Sequence, residues 1–354
     1  MNLGRRATGC AVAFAIVTAL LVSTRARALT PPVSIIDEPV AFAVRNVNTS
    51  GVPCASNGTR YTIRGHLVAP REALRAPAPR TVTVYLHGLS YGEFFWHFAA
   101  VPGYDYAIEQ ARAGQASVVI DRLGYGGTDH PPGMQSCIGA QADIAHQIVG
   151  RLRNGNYVAT RVLTFQRVVV AGHSLGGLLA QVEVSSFHDA DALIVMSFSD
   201  TGSSPLAIQT FAASGLTCAT GGQRAGGSSG PSGYAYFGNT PAQFRAAHFH
   251  DADPRVVQVA TALRTRDPCG DYSSVPQALV TDQVALKTVT VPVLLVFGAN
   301  DALFPPPAGE RQKAMFSGSA NVSLVSVPDT GHALALERSA PQFRAAVARW
   351  LQRL

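Results

Sequence analysis

Residues 168–177 read VVVAGHSLGG, a β-branched run that passes through Gly-x-Ser-x-Gly into an apolar stretch typical of a helix. A nucleophile on such a tight strand-to-helix turn has an unfavourable backbone conformation. Gly172 and Gly176 leave room there for neighbouring strands and the helix to approach. The hydroxyl of Ser174 would then project from the edge of a sheet. This stretch therefore predicts an α/β fold with Ser174 as a candidate nucleophile.

Short apolar runs alternate with longer amphipathic patterns on both sides of this stretch. The alternation predicts a mostly parallel central sheet flanked by helices. We predict strands at residues 61–68, 81–86, 117–120, 167–171, 192–198, 293–297 and 322–327. We predict helices at residues 104–113, 135–153, 175–187 and 340–354.

A segment of different composition separates the fifth and sixth predicted strands. It is rich in Gly and Ser at residues 221–233, and aromatic residues follow. A segment of this length is too large for a plain loop in a compact domain. We predict a cap inserted at residues 201–290, with the sheet domain formed by residues 29–200 and 291–354.

A serine hydroxyl is a weak nucleophile unless a base removes its proton, and the base needs an orienting carboxylate. His332 follows the run at residues 322–327, and Asp301 follows the run at residues 293–297. Both lie just beyond the carboxyl ends of predicted parallel strands, where such sheets build their sites. Asp200, which follows the predicted strand that ends at Phe198, is the alternative acid.

Five short sequences occur in the order found in the α/β-hydrolase superfamily. They are LHGL at 86–89, DRLGYG at 121–126, GHSLGG at 172–177, GAND at 298–301 and GH at 331–332. The chain resembles this superfamily from about Tyr61 to Leu354. A serine in the nucleophile position argues against the haloalkane dehalogenase and epoxide hydrolase branches, which look similar but use aspartate there.

The resemblance assigns roles to five residues. It implies Ser174 as nucleophile, His332 as base and Asp301 as its orienting acid. It also implies that the backbone amides of Leu89 and Leu175 form an oxyanion hole. No metal or organic cofactor is expected for this chemistry.

An aromatic loop follows the predicted oxyanion segment. It contains Tyr91, Phe94, Phe95 and Trp96. At the mouth of the site these side chains would form a substrate pocket that favours an apolar or aromatic acyl or alcohol group. Packing against the cap is the alternative interpretation.

Three histidine-containing motifs have simpler interpretations than catalysis. We interpret His87 as a structural residue of the oxyanion loop and His173 as a packing residue. The sequence HFHD at residues 248–251 has an i, i+2 spacing within the predicted cap, which favours a polar surface stretch over a metal site.

The net charge of +6 does not indicate a nucleic-acid partner. Residues 1–28 contain four arginines and no acidic residue, and the chain without this segment has 24 basic and 22 acidic residues.

The first 28 residues have the features of a signal peptide. They contain Arg5 and Arg6, then an apolar run at residues 10–22 and a small-residue site that ends at Ala28. We predict cleavage after Ala28 and export from the cytoplasm. The apolar run is too short for a stable membrane span, which needs about 20 residues.

The cysteines agree with export. The predicted mature chain keeps Cys54, Cys137, Cys218 and Cys269, and an even number in an oxidising compartment indicates two disulfides. Three pairings are possible. Placement favours Cys218 with Cys269, because both belong to the predicted cap, and Cys54 with Cys137.

The sequence thus predicts a secreted or periplasmic serine hydrolase that acts on small-molecule carboxylic esters, including lactones or lipid esters. An exported amidase or aminopeptidase is the first alternative. An aminopeptidase would need an acidic pair in the cap, and the candidates are Asp251, Asp253, Asp267 and Asp271. A non-catalytic binding protein of the same fold is the second alternative, and the complete set of Ser, Asp and His argues against it.

Overall fold

The β-branched runs of the sequence form the centre of one large sheet. The strands are β1 (Ile35–Arg45), β2 (Arg60–Pro70), β3 (Thr81–Leu86), β4 (Ser117–Ile120), β5 (Val158–Ala159), β6 (Arg167–His173), β7 (Ala192–Met196), β8 (Tyr234–Ala235), β9 (Asp267–Pro268), β10 (Val293–Gly298) and β11 (Val322–Val327). The helices are α1 (Arg71–Arg75), α2 (Tyr106–Arg112), α3 (Ile138–Asn154), α4 (Leu175–Phe187), α5 (Pro205–Ala219), α6 (Pro241–His248), α7 (Pro254–Leu263), α8 (Cys269–Ala285), α9 (Ala308–Met315) and α10 (Ala340–Leu351).

The computed structural model describes residues 1, 2, 4, 33–75, 79–226 and 229–354. Apart from residues 1, 2 and 4, the predicted signal peptide and its cleavage site after Ala28 lie outside the described residues. No helix in the described part of the chain is long and apolar enough to cross a membrane.

The large sheet has the strand order β11-β10-β7-β6-β3-β4-β2-β1-β5 among the described residues. The strands from β11 to β4 pair in parallel, whereas β2 pairs antiparallel with β4 and with β1. Strands β8 and β9 form a separate antiparallel pair. The predicted mostly parallel sheet is confirmed, and it carries an antiparallel edge.

Helices cover both faces of this sheet, so its central strands are buried. Val168 and Val170 of β6 belong to the core that includes residues of α3 and α4. Val169 and Ala171, on the opposite face of the strand, belong to the core that includes residues of α2 and α10. This double burial explains why these strands are near-continuous apolar runs.

Strand β1 is absent from the sequence prediction. Its charged residues Asp37 and Glu38 and the following Pro39 interrupt the apolar pattern. Beyond them Val40, Phe42 and Val44 alternate inward, which is the period of a strand with one buried face. Strand β7 is also shorter than predicted, because Ser197 adopts a positive φ of 48° directly after Met196.

The segment at residues 201–290, which we call the cap segment, contains α5 to α8 and the strands β8 and β9. A disulfide joins Cys218 near the end of α5 to Cys269 at the start of α8, and a second joins Cys54 to Cys137. These are the pairs that placement along the sequence favoured. Residues 33–354 form one compact unit, and buried side chains of the cap segment share a core with the sheet.

Candidate active site

Ser174 lies at the sharp turn between β6 and α4. Its backbone has φ 53° and ψ −126°, and its N–H donates to the carbonyl oxygen of Met196 at 2.8 Å. A Cβ at Gly172 would lie 1.8 Å from the carbonyl oxygen of Gly176, and one at Gly176 would lie 2.3 Å from that of Leu86. Both glycines are therefore required by close backbone approach, as the motif predicts.

His332 and Asp301 form a buried pair beyond β11 and β10. The Nδ1 of His332 lies 3.1 and 3.0 Å from the two carboxylate oxygens of Asp301, and neither side chain is exposed to solvent. The backbone N–H groups of Leu303 and Phe304 also donate to Asp301. Burial alone would raise the pKa of Asp301, but His332 and these amides lower it below its ordinary value. An ionised Asp301 can therefore hold the imidazole with its proton on Nδ1.

The other nitrogen of His332 is available for chemistry. Its Nε2 is buried and has no hydrogen-bond partner among the described residues. The Nε2 of His173, the residue before Ser174, donates to the carbonyl oxygen of His332 at 2.8 Å. This hydrogen bond joins the nucleophile turn to the loop that carries His332.

Asp200, the alternative acid, lies in a different contact network. Its carboxylate accepts hydrogen bonds from Gln312 at 2.7 Å and from Gln181 at 3.2 Å. Asp301 rather than Asp200 is the carboxylate that contacts His332.

Residues 248–251 of the cap segment pack against the loop that carries His332. The backbone N–H groups of His250, Asp251 and Gly331 all donate to the buried carboxylate of Glu337, at 2.7, 2.9 and 3.1 Å. His248 is only 2% exposed, and its ring centroid lies 5.4 Å from that of His332. The expectation of a polar surface stretch is therefore wrong at His248. Glu337 accepts the backbone N–H groups of this segment and thereby holds it against the loop that carries His332.

The predicted oxyanion amides lie beside Ser174. Leu89 and Leu175 line the same cavity as the serine, and a Cβ at Gly88 would lie 2.8 Å from the Ser174 Cβ. Neither the amide of Leu89 nor that of Leu175 donates to an acceptor in the described part of the chain. Two N–H groups near one serine can stabilise the oxygen of a tetrahedral intermediate.

Two buried acids of the cap segment hold the loop that carries Leu89. Asp267 accepts the backbone N–H of Ser90 at 2.7 Å. Asp271 accepts from Arg122 at 3.1 Å, and the Nε of Arg122 donates to the carbonyl oxygen of His87 at 2.9 Å. The Nε2 of His87 in turn accepts the backbone N–H of Arg122 at 3.1 Å. Because Nε2 accepts here and burial lowers the pKa of His87 well below its usual range, His87 is a neutral structural residue.

A cavity of about 340 Å³ opens at Ser174. Its lining residues are Leu89, Ser174, Leu175, Phe198, Ser199, Ser203, Ala207, Ile208, Phe211, Ala212, Phe237, Val275, Pro276, Leu279, Leu303 and Phe304. Helices α5 and α8 of the cap segment supply seven of these residues, so the segment forms much of the wall. The lining is almost entirely apolar apart from its serines.

The aromatic loop occupies a different place from this cavity. Tyr91, Phe95 and Trp96 are fully buried, and Phe95 stacks on His173 with ring centroids 4.3 Å apart. Tyr91 packs against Phe244 of the cap segment. Phe94 is partly buried beside the same cluster. Tyr91, Phe95 and Trp96 pack around His173 and do not line the cavity, in agreement with the alternative interpretation of packing.

The sequence alone did not identify the cavity wall or the acids that hold the loop carrying Leu89. A signal for the wall was present, because Ala207, Ile208, Phe211 and Ala212 follow the spacing of one helical face. Nothing in the local sequence distinguishes Asp267 or Asp271 from surface aspartates, since their partners lie in distant parts of the chain.

Comparison with known proteins agrees with this architecture. The model of the alpha/beta hydrolase family matches residues 83–347, which is most of the chain and includes all three candidate catalytic residues. No curated protein matches the sequence significantly.

Solved structures with the same fold include three hydrolases. A thermophilic esterase from Thermogutta terrifontis has a TM-score of 0.60 and 17% identity, covering 88% of this chain and 98% of that chain. An enol-lactonase from Burkholderia xenovorans LB400 has a TM-score of 0.60 and 16% identity, covering 82% of this chain and 97% of that chain. A monoacylglycerol lipase from Paleococcus ferrophilus has a TM-score of 0.57 and 17% identity, covering 78% of this chain and 95% of that chain. At these identities the similarity shows a shared fold.

Proposed function

The chain belongs to the alpha/beta hydrolase family, and we propose that it is a serine hydrolase that cleaves carboxylic esters with an apolar acyl group. The observation that carries the proposal is the buried pair of His332 and Asp301. Its second imidazole nitrogen has no partner among the described residues, and the pair is joined by His173 to the turn at Ser174. This arrangement is suited to proton transfer from a serine hydroxyl.

The proposed reaction is acyl transfer to water. His332 takes the proton of Ser174 as the serine oxygen attacks the ester carbonyl, and Asp301 stabilises the imidazolium that forms. The amides of Leu89 and Leu175 donate to the oxyanion. His332 returns the proton to the departing alcohol, which leaves an acyl-enzyme. Water then attacks this intermediate with His332 again as base, and Ser174 is released with the acid product.

The cavity supports an apolar substrate. Its volume of about 340 Å³ lies within the usual range for small-molecule pockets. An aliphatic or aromatic acyl group in contact with Phe198, Phe211 and Leu279 would bury apolar surface without leaving a polar wall unpaired. Two of the similar solved structures are described as an esterase and a monoacylglycerol lipase, which is compatible with this substrate class.

The contacts of the cap acids argue against an aminopeptidase. Asp267 and Asp271 are fully buried and accept hydrogen bonds from the loop at Ser90 and from Arg122. Asp251 and Asp253 lie close to the guanidinium of Arg338. None of the four is left to bind the α-amine of a peptide in this arrangement.

We place the enzyme outside the cytoplasm. The charged start, apolar run and small-residue site of residues 1–28 are the features of a signal peptide. The disulfides Cys54–Cys137 and Cys218–Cys269 are compatible with an oxidising compartment.

The proposal is tested by labelling the purified protein with a fluorophosphonate probe and measuring its intact mass. The wild type should gain one adduct and hydrolyse p-nitrophenyl esters, whereas Ser174→Ala should do neither. Ser203→Ala is the matched control, because Ser203 lines the same cavity and has no role in the proposed reaction. Labelling with hydrolysis of matched anilides but not of esters would favour an amidase. Absence of labelling in a folded sample would contradict the serine mechanism.

A further inference from the structure

Three side chains that the proposed reaction does not use lie close together, on α3, on α4 and just before β7. His146 belongs to α3, Glu183 to α4, and Asp189 to the turn before β7. One ligand atom from each lies within 4.8 Å of the others. The Nδ1 of His146 is 2.8 Å from a carboxylate oxygen of Asp189. The cluster thus combines one imidazole and two carboxylates from three separate elements.

Glu183 is buried beside Asp189, and no basic side chain in the described part of the chain forms an ion pair with it. Its side chain is fully buried, and neither carboxylate oxygen has a hydrogen-bond partner within the described ranges. The Oδ1 of Asp189, which faces the same space, also lacks one there. Burial and the neighbouring Asp189 raise the pKa of Glu183 well above its usual range. Two facing carboxylates need either a shared proton or a cation between them.

Arg153, whose charge acts on Glu183, makes its hydrogen bonds to other groups. Arg153 donates to the carboxylate of Asp191 at 2.7 Å and to the backbone carbonyl of Asp189 at 2.6 Å. It therefore does not neutralise the Glu183 carboxylate directly. The ring of His146 stacks on Phe187 with centroids 4.1 Å apart and planes 11° apart. This stacking fixes the imidazole in the plane from which it meets Asp189.

We propose that His146, Glu183 and Asp189 bind a divalent transition-metal ion of the zinc class. One imidazole nitrogen and two carboxylate oxygens are ligands that Zn²⁺ accepts. Zinc–ligand bonds of about 2.1 Å put tetrahedral ligand atoms roughly 3.4 Å apart, which small side-chain rotations reach from the observed spacing. His146 and Asp189 are partly exposed, so water can complete the coordination.

The ion would link α3 to the end of α4, the helix that begins directly after Ser174. This site is separate from the cavity at Ser174, and the inference does not depend on ester hydrolysis.

The test is calorimetric titration of the chelator-treated full chain with Zn²⁺ alone, combined with thermal unfolding. The wild type should bind one ion per chain, and a hundredfold excess over Kd should raise Tm by about 5 °C. Glu183→Gln should lose at least tenfold in affinity, and at the same Zn²⁺ concentration its Tm should rise by at most about half as much. The NH₂ group of the glutamine can donate to Asp189, so this variant should fold. Asp189→Asn, at a more exposed position, provides a second ligand variant.

His97→Gln is the matched control, because His97 belongs to a different histidine–carboxylate pair with Asp105. It should bind Zn²⁺ as the wild type does. An anomalous difference peak between His146 and Glu183 in crystals soaked in Zn²⁺ would locate the ion. If the wild type does not bind, or if both ligand variants bind as tightly as the wild type, the proposed site is wrong.

Discussion

Asp267, from the cap segment, accepts the backbone N–H of Ser90 at 2.7 Å, and Ser90 directly follows Leu89. The same carboxylate accepts the backbone N–H of Phe237 at 3.1 Å and the hydroxyl of Tyr272 at 2.9 Å. One buried acid therefore joins three parts of the molecule, two of them in the cap segment. This contact holds the backbone directly beside the proposed oxyanion amide of Leu89.

Asp267→Asn should lower kcat while leaving the fold intact. The asparagine side chain keeps the size of the carboxylate, but its NH₂ group replaces one of the two accepting oxygens. The amides of Ser90 and Phe237, which now donate to different oxygens, can then no longer both be held in place. A misplaced Leu89 amide should reduce kcat about 10- to 100-fold with a smaller effect on KM. Kinetics with a short-chain ester at pH 8 are appropriate, because burial raises the pKa of Asp267 to about 7 and the carboxylate is mostly ionised at pH 8.

Asp251→Asn is the control for this measurement, since the side chain of Asp251 is exposed and pairs with Arg338. It should leave kcat within about twofold of the wild type. A folded Asp267→Asn enzyme with unchanged kcat would show that the cap carboxylate does not position the oxyanion loop.

Asp301→Asn should impair hydrolysis far more than Asp200→Asn. The Asp301 carboxylate fixes the proton of His332 on Nδ1, whereas an amide at this position favours the wrong tautomer. We expect kcat to fall about 10³- to 10⁴-fold for Asp301→Asn. Asp200→Asn should cost less than about tenfold, since its partners are Gln181 and Gln312. The reverse order in steady-state kinetics would assign the orienting acid to Asp200.

Local sequence was sufficient to predict the elements that carry the candidate triad. The β-branched run of β6 and the glycines around Ser174 specify a strand and a tight turn through sterics within a few residues. Asp301 and His332 could be predicted to lie at the same edge because the carboxyl ends of parallel strands meet there. The mostly parallel sheet follows from the same alternation of short apolar runs and helical patterns.

The parts that sequence did not predict depend on contacts between distant residues. Ser90 and Asp267 are 177 positions apart, and no local pattern links them. The aromatic character of Phe95 and Trp96 predicts burial, but it does not decide between a core and a cavity wall. His248 lies between Ala247 and Phe249, and it is buried against Tyr91 and His332, which are distant from it in the sequence.

Asp282→Asn should make stability less dependent on pH. Asp282 and Asp200 are buried next to each other, and Gln181 donates to both. Burial raises the pKa of both carboxyl groups above their ordinary values. The folded state therefore holds a proton that the unfolded chain releases above about pH 4. Since the folded state binds more protons, the free energy of unfolding falls as pH rises until the folded pair has titrated.

For one such proton, the free energy of unfolding should fall by about 1.4 kcal/mol per pH unit. Guanidinium unfolding should show that the free energy of unfolding decreases less between pH 5 and pH 8 for Asp282→Asn than for the wild type. Asp329→Asn, at an exposed position, should follow the wild type. Equal pH dependence in Asp282→Asn and the wild type would mean that the two carboxyl groups do not share a proton.

Ala207→Leu should shift the preference of the enzyme towards shorter acyl groups. Ala207 is buried on α5 and lines the cavity at Ser174, so three added carbons take up space that an acyl chain would fill. We expect kcat/KM for an octanoyl ester to fall about tenfold or more relative to that for an acetyl ester. Ala213→Leu, on the same helix but outside the cavity lining, should keep the wild-type ratio. If the ratio of octanoyl to acetyl kcat/KM were unchanged in folded Ala207→Leu, the acyl group would not bind in this cavity, and the alcohol group would be the part of the ester that occupies it.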